Sequence, residues 1–237
     1  EQMVAEGYGP PPVDYSWISM GSSGRQEQFV KTDQDNGIIY ANVDAKQEKE
    51  VAAYFLRLGE KVVDGLHRSG FALCPGNVMA SNPMWCRSLR DWTDTVVDWV
   101  NKVDPENVRQ LTIFLDFRHL YGEKALCDIL WKNVHGKFND SPSSLHFLAQ
   151  DALSTRVPLN FFKQIITEKS GDYQGKVNLK AAASIHLVNG LRLFSLREGI
   201  LATNSLQRIN ALGASNVLSR ENSESLLNAQ ETLMGFR

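Results

Sequence analysis

A chain of 237 residues, 43% hydrophobic and 22% charged, has the make-up of a folded globular protein with one large core or two small ones. A net charge of −2 and an isoelectric point of about 6.2 supply no overall basic field, which argues against nucleic acid as the partner and leaves small anionic ligands open. No apolar run approaches the roughly 18 residues of a membrane span, and the start, EQMVAEGYGPPP, lacks the charged-then-apolar layout of a signal peptide.

The proline run at residues 10–12 stops any earlier helix. DYSWISMG then reads as a short strand entering a Gly/Ser turn, and DNGIIYANV as a second strand bounded by turn residues. From Lys46 to about Arg68, Val51, Tyr54, Phe55, Leu58, Val62, Val63 and Leu66 recur at helical steps, and Gly70 closes the helix. CPGNVMASNP is a loop of turn formers. WCRSLRDWTDTVVDWV, 85–100, predicts an amphipathic helix, and Trp85, Trp92 and Trp99 on it read as core packing rather than a base-stacking platform. DPEN opens a turn or short helix. LTIFLDF, 111–117, is a continuous apolar run and predicts a buried strand with Asp116 near its end.

Beyond Tyr121 helical periodicity takes over, in EKALCDILWKNVHGKF, SPSSLHFLAQDALS, LKAAASIHLVNGLRLFSLREG, TNSLQRINALG and SRENSESLLNAQETLMG. The expected fold is therefore α+β, a small sheet flanked by helices over residues 1–138, followed by an all-α antiparallel bundle over 139–237. NDSP, 139–142, marks the boundary.

Cys74, Cys86 and Cys127 form an odd, unpatterned set, which fits reduced thiols in the cytoplasm better than a disulfide framework. Position 1 is not methionine and NAQETLMGFR ends inside a helical pattern, so the chain reads as a piece of a longer protein.

The chemistry concentrates in MGSSGRQEQFVKTDQDNGIIYANVDAK, residues 20–46. Successive side chains of a strand point to opposite faces, so Asp33 and Asp35 share one face and Gln34 points away. Two carboxylates so placed repel unless a cation lies between them, and Mg²⁺ takes one or two carboxylates together with substrate phosphates. Asp116, from another strand, offers a third. If the strands are neighbours, three carboxylates suit two metal ions and an in-line displacement at phosphorus. Gly21-Ser22-Ser23-Gly24 lets backbone approach phosphate closely, and Arg25 and Arg118 add guanidinium forks. Taken singly, each piece has a plainer reading: GSSG as a flexible turn, DxD as a solvated cap, Asp116 as a structural carboxylate, Arg25 and Arg118 as surface residues. Lys180 and Arg192 are the candidates of the helical half, and both read first as solvated helix residues. The histidines, His119 included, show no metal-ligand spacing.

The ordered set is what carries a resemblance. MGSSGRQEQFVKTDQDNGIIY resembles the polymerase-β-like nucleotidyltransferase superfamily, in which Gly-Ser, a spacer and Asp-x-Asp occur in that order. GSSGRQEQ, TDQDNGII, PGNVMASNPMW and LDFRHLYG, with the helical VNLKAAASIHLVNGLRLFSLREGI and SLQRINALG, are similar to the nucleotidyltransferases grouped as domain-of-unknown-function 294. These are akin to PII-protein uridylyltransferase and often follow CBS and cyclic-nucleotide-binding modules. The resemblance implies an enzyme using two Mg²⁺ ions, with Mn²⁺ as the other candidate. It would move a nucleoside monophosphate from an NTP to a hydroxyl of a protein or small molecule in signal transduction, by uridylyl or adenylyl transfer. It implies that Asp33, Asp35 and Asp116 hold metal and perform catalysis. It also implies that Gly21, Ser22, Arg25 and Arg118 bind the nucleotide, and that the helical half shapes the acceptor side. A nucleotide-sensing or partner-binding output domain with little transfer activity is the alternative.

Overall fold

The structure, a computed structural model, describes every residue except 1, 29–32, 103, 141, 155, 156, 158, 161–165, 168, 169, 171–173 and 237, and leaves the side chains of residues 2 and 142 undescribed. The chain divides into two compact units, Glu1–Lys137 and Phe138–Arg237.

The first unit is built on a mixed sheet of β1 (Tyr15–Ser19), β2 (Asn36–Tyr40), β3 (Cys86–Ser88) and β4 (Arg118–Gly122), in the order β3-β2-β1-β4. β1 runs antiparallel to both β2 and β4, and β3 joins β2 in parallel. Every residue of β2 is buried, as it must be in a central strand covered on both faces. On one side Trp17, Ile38 and Tyr40 pack with Val51, Phe55 and Val63 of a long helix (Glu48–Arg68), Tyr40 stacking on Phe55 at 4.9 Å.

A second aromatic core joins two helices, Leu89–Asn101 and Pro105–Phe114, to the helix Lys124–Asp140. Trp92 stacks on Phe114 at 4.8 Å, Phe114 on Phe117 at 4.6 Å, and Phe117 on Trp131 at 4.3 Å. Trp92 also donates its indole N–H to the Ile38 carbonyl at 2.8 Å, tying this core to the sheet. The expected tryptophan packing is thus present: Trp85, Trp92 and Trp99 are all buried and within ring contact. Trp92→Ala should cost about 3–5 kcal/mol, because it deletes a fully buried ring and strips the Ile38 carbonyl of its donor. Chemical denaturation checks this, and a cost below about 1 kcal/mol would mean that the core collapses to refill the site.

Three local expectations change. LTIFLDF is not a strand: Asp104 accepts a hydrogen bond from the Asn107 amide, Pro105 occupies the first turn, and the helix so started runs to Phe114. Its apolar run is buried as a helix face and a turn, with Asp116 in that turn. The strand lies just beyond, at Arg118–Gly122, an edge strand whose exposed residues carry no apolar alternation. The helix expected from Trp85 begins only at Leu89, capped by the Ser88 hydroxyl at 3.0 Å, and is preceded by a 3₁₀ turn (Pro83–Trp85) and β3.

Among the described residues the second unit carries the helices Pro142–Ser154, Ile185–Arg197, Ser205–Ala214 and Arg220–Gly235, with a π-helical turn at Lys180–Ser184. Leu191, Ile209 and Leu212 form its core. Asn204 and Ser219 cap the last two helices, the N-cap pattern expected of these segments. Among the described residues no helix is long and apolar enough to cross a membrane.

Candidate active site

β1 delivers the chain into a single helical turn, Gly21–Gly24, which is wedged between two aspartates. Gly21 has φ of +55°, and a Cβ there would lie 2.6 Å from Asp35 Oδ2. A Cβ on Gly24 would lie 2.0 Å from the Asp116 backbone oxygen and 3.0 Å from that of Ser19. Only glycine permits both approaches, so the GSSG composition is required by packing as well as by backbone freedom. The Met20 amide donates to the Asp35 carbonyl at 2.9 Å and holds the turn in register with the start of β2.

The alternation expected of TDQDN is present. Asp33 is exposed, Asp35 half-buried, and Gln34 turns inward, donating to the Val63 carbonyl at 3.1 Å. The backbone beside them runs from Ala72 into the CPGNVMASNP loop. Asp33 pairs with Ala72 in a parallel bridge, the Gln34 amide donates to the Ala72 carbonyl at 2.9 Å, and the Asn36 amide donates to the Val78 carbonyl at 3.1 Å. The Asn36 side chain accepts from the Ala80 amide at 2.9 Å and clamps the far end of the loop.

This loop brings Cys74 to the carboxylates. One ligand atom from each of Asp33, Asp35 and Cys74 lies within 4.8 Å of the others. Burial pushes the Cys74 thiol above its ordinary value, and a hydrogen bond and the charge of Asp35 push the same way, against backbone hydrogen bonds at Val78 and Gly76. Nothing in the spacing of the cysteines foretold this neighbour.

Asp116 is 0% exposed, and its Oδ2 accepts a hydrogen bond from Arg25 Nη1 at 2.6 Å. The same guanidinium donates through Nε to Glu27 at 2.9 Å. Burial opposes the charge on Arg25, but the Asp116 and Glu27 carboxylates outweigh it and hold its pKa above the ordinary value. Arg25 is therefore no surface residue, and Glu27, itself buried, is a partner that sequence reasoning passed over. Arg118 opens β4 opposite Ser19 and donates to the Ser23 carbonyl at 3.4 Å, while its buried Nε has no hydrogen-bond partner among the described residues. With Asp116 in a turn, Arg118 does not share a strand face with it; both meet the GSSG turn instead. His119 bonds to the Ser16 hydroxyl at 2.9 Å. In the second unit Lys180 is exposed, whereas Arg192, expected to be solvated, is buried and donates to Asn189 at 2.8 Å.

Comparison with known families is consistent with this arrangement. The profile of the family described as "Putative nucleotidyltransferase DUF294" matches residues 1–106, and that of "Putative nucleotidyltransferase substrate binding domain" matches residues 142–237. Gly21, Ser22, Arg25, Asp33 and Asp35 lie inside the first span; Asp116 and Arg118 fall between the two. A search of curated proteins found no match. With both profiles matching in order along it, the chain belongs to the family described as "Putative nucleotidyltransferase DUF294".

Proposed function

We propose that this protein transfers a nucleoside monophosphate from an NTP to an acceptor hydroxyl of a protein or small molecule, releasing pyrophosphate, in a Mg²⁺-dependent reaction. What supports the reading most is the contact of the GSSG turn with Asp35: backbone suited to phosphate and a carboxylate suited to a metal ion meet with no side chain between them. The donor set fits Mg²⁺. Asp33 and Asp35 supply two hard oxygens on one partly solvated face, and water and phosphate complete the shell. A protonated thiol at Cys74 is no competitor for so hard an ion. Mn²⁺ is the other oxygen-seeking candidate. When bound, the cation neutralises phosphate charge and polarises the bond to be broken.

On this reading Gly21 and Ser22 cradle the triphosphate, and the orphaned Nε side of Arg118 faces anionic oxygen. Arg25 exchanges Asp116 for phosphate, which releases Asp116 Oδ2 to accept the proton of the attacking hydroxyl. Asp116 joins the catalytic carboxylates only after that exchange. Uridylyl or adenylyl transfer to a signalling protein in the cytoplasm is the narrower form of the proposal, with CBS or cyclic-nucleotide-binding modules as its regulators.

One observation favours the sensing alternative. A fully buried Asp116 held by Arg25 describes a closed site that binds nucleotide without completing transfer. Labelled NTPs with Mg²⁺ and candidate acceptors separate the two: label on an acceptor supports the enzyme, and tight binding without transfer supports the sensor. Melting curves supply the binding arm. NTP at about 100-fold over its Kd should stabilise the protein by about 2.7 kcal/mol with Mg²⁺ and far less with EDTA. Equal stabilisation in both buffers removes the metal from the proposal.

A further inference from the structure

Magnesium explains the two aspartates but makes no use of Cys74, whose thiol is hydrogen-bonded to Asp35 at the same spot. The thiol comes from a segment far along the sequence from both Asp33 and Asp35, so local chain geometry does not force the meeting. Its placement depends on the Ala72 bridge to Asp33 and on the Asn36 clamp at Ala80. Resting on the reading of Asp33 and Asp35 as the metal-holding pair, we propose that Cys74 turns this pair into a three-ligand centre for a thiophilic divalent cation, zinc foremost, which displaces magnesium and switches the nucleotide site off.

The donor chemistry carries the inference. Zinc binds thiolate sulfur at about 2.3 Å and carboxylate oxygen at about 2.0–2.2 Å, and three protein ligands leave its fourth tetrahedral position for water or a phosphate oxygen. Those bond lengths put the ligand atoms about 3.5 Å from one another, inside the 4.8 Å within which Asp33, Asp35 and Cys74 already converge. Small rotations of three partly exposed side chains close the difference. Magnesium gains nothing from sulfur, whereas zinc gains a strong ligand, so the same residues rank the two ions in opposite orders of fit. On zinc binding the Cys74 S–H bond breaks, an S–Zn bond forms, and the proton leaves to solvent. Tetrahedral zinc on three protein ligands cannot offer the octahedral shell that magnesium shares with a triphosphate, and that is the basis of the switch.

Cobalt(II) tests this without nucleotide or turnover. It reports sulfur ligation through a thiolate-to-metal charge-transfer band in the near ultraviolet, and Cys86 and Cys127 are buried, which makes Cys74 the accessible thiol. The protein titrated with Co²⁺ should show the band, excess Zn²⁺ should abolish it, and Mg²⁺ should not. Cys74→Ser should lose the band and bind Zn²⁺ at least about tenfold more weakly in competition with a chromophoric chelator. If that variant fails to fold, alkylation of the native protein decides: Zn²⁺ should protect Cys74 from iodoacetamide and Mg²⁺ should not. No band in the native protein, or equal zinc affinity in Cys74→Ser, overturns the inference. Protein that binds Mg²⁺-NTP but shows no band sinks this inference alone, and protein that shows the band but never binds Mg²⁺-NTP sinks the nucleotidyltransferase reading of the site alone.

Discussion

Asp33→Asn and Asp35→Asn each lower nucleotidyl transfer by roughly 10³-fold, a loss of about 4 kcal/mol in transition-state stabilisation, with the fold intact. Asparagine keeps the shape of the side chain and removes the charge. Both aspartates sit at the solvent-facing mouth of β2, so neither substitution opens a cavity. Like charges on one face repel, and Asp35→Asn should therefore leave the protein without metal no less stable than the native one. It should also lose most of the stabilisation by NTP and Mg²⁺. Single-turnover transfer assays, with far-ultraviolet circular dichroism and melting curves for each variant, check both halves. Transfer within tenfold of the native rate in either variant would remove that aspartate from the mechanism. A large loss of stability in Asp35→Asn without metal would make it a structural residue, held for its place against Gly21 and Cys74.

Arg25→Ala is expected to destabilise the first unit by about 3–5 kcal/mol, the cost of stranding a buried carboxylate. Asp116 has no exposure and Glu27 is buried, so water cannot replace the missing guanidinium. Arg25→Lys should recover only part of the loss, because one ammonium cannot reproduce the Nε bond to Glu27 together with the Nη1 bond to Asp116. Adding Asp116→Asn to Arg25→Ala should return stability, since it removes the stranded charge. A double-mutant cycle in urea measures this coupling directly. Additive effects, or a cost of Arg25→Ala below about 1 kcal/mol, would show that the pair is screened by solvent and positions nothing. Restored stability with lost transfer is the pattern that separates a role in the reaction from a role in the fold.

Much of the helical half was legible because its cues are local. Caps at Asn204 and Ser219 and apolar steps through Leu191, Ile209 and Leu212 lie within a turn or two of the residues they organise. The long helix through Phe55 was legible for the same reason, as were β1 and β2. LTIFLDF was misread because an apolar run looks the same in a buried strand and in a helix face, and the deciding cap, Asp104-Pro105, stands ahead of the run. β3 escaped notice because three residues carry no periodicity; it exists only through its pairing with β2. β4 is an exposed edge and lacks the apolar alternation that marks a half-buried strand.

The sequence by itself determined that Asp33 and Asp35 share a face with Gln34 turned inward, since alternation is a property of the extended backbone. It also determined that a glycine-rich turn precedes them. Tertiary structure alone decided which groups these residues meet. Arg25 reaches Asp116 across 91 positions, and Cys74 meets Asp35 from a loop pinned by Asn36. Such contacts depend on how helices and sheet stack, which follows from shape complementarity among many side chains, and no short stretch of sequence encodes that. The same packing took Asp116 off a strand and placed it under Arg25, so the roles of the two residues became linked only when the chain folded.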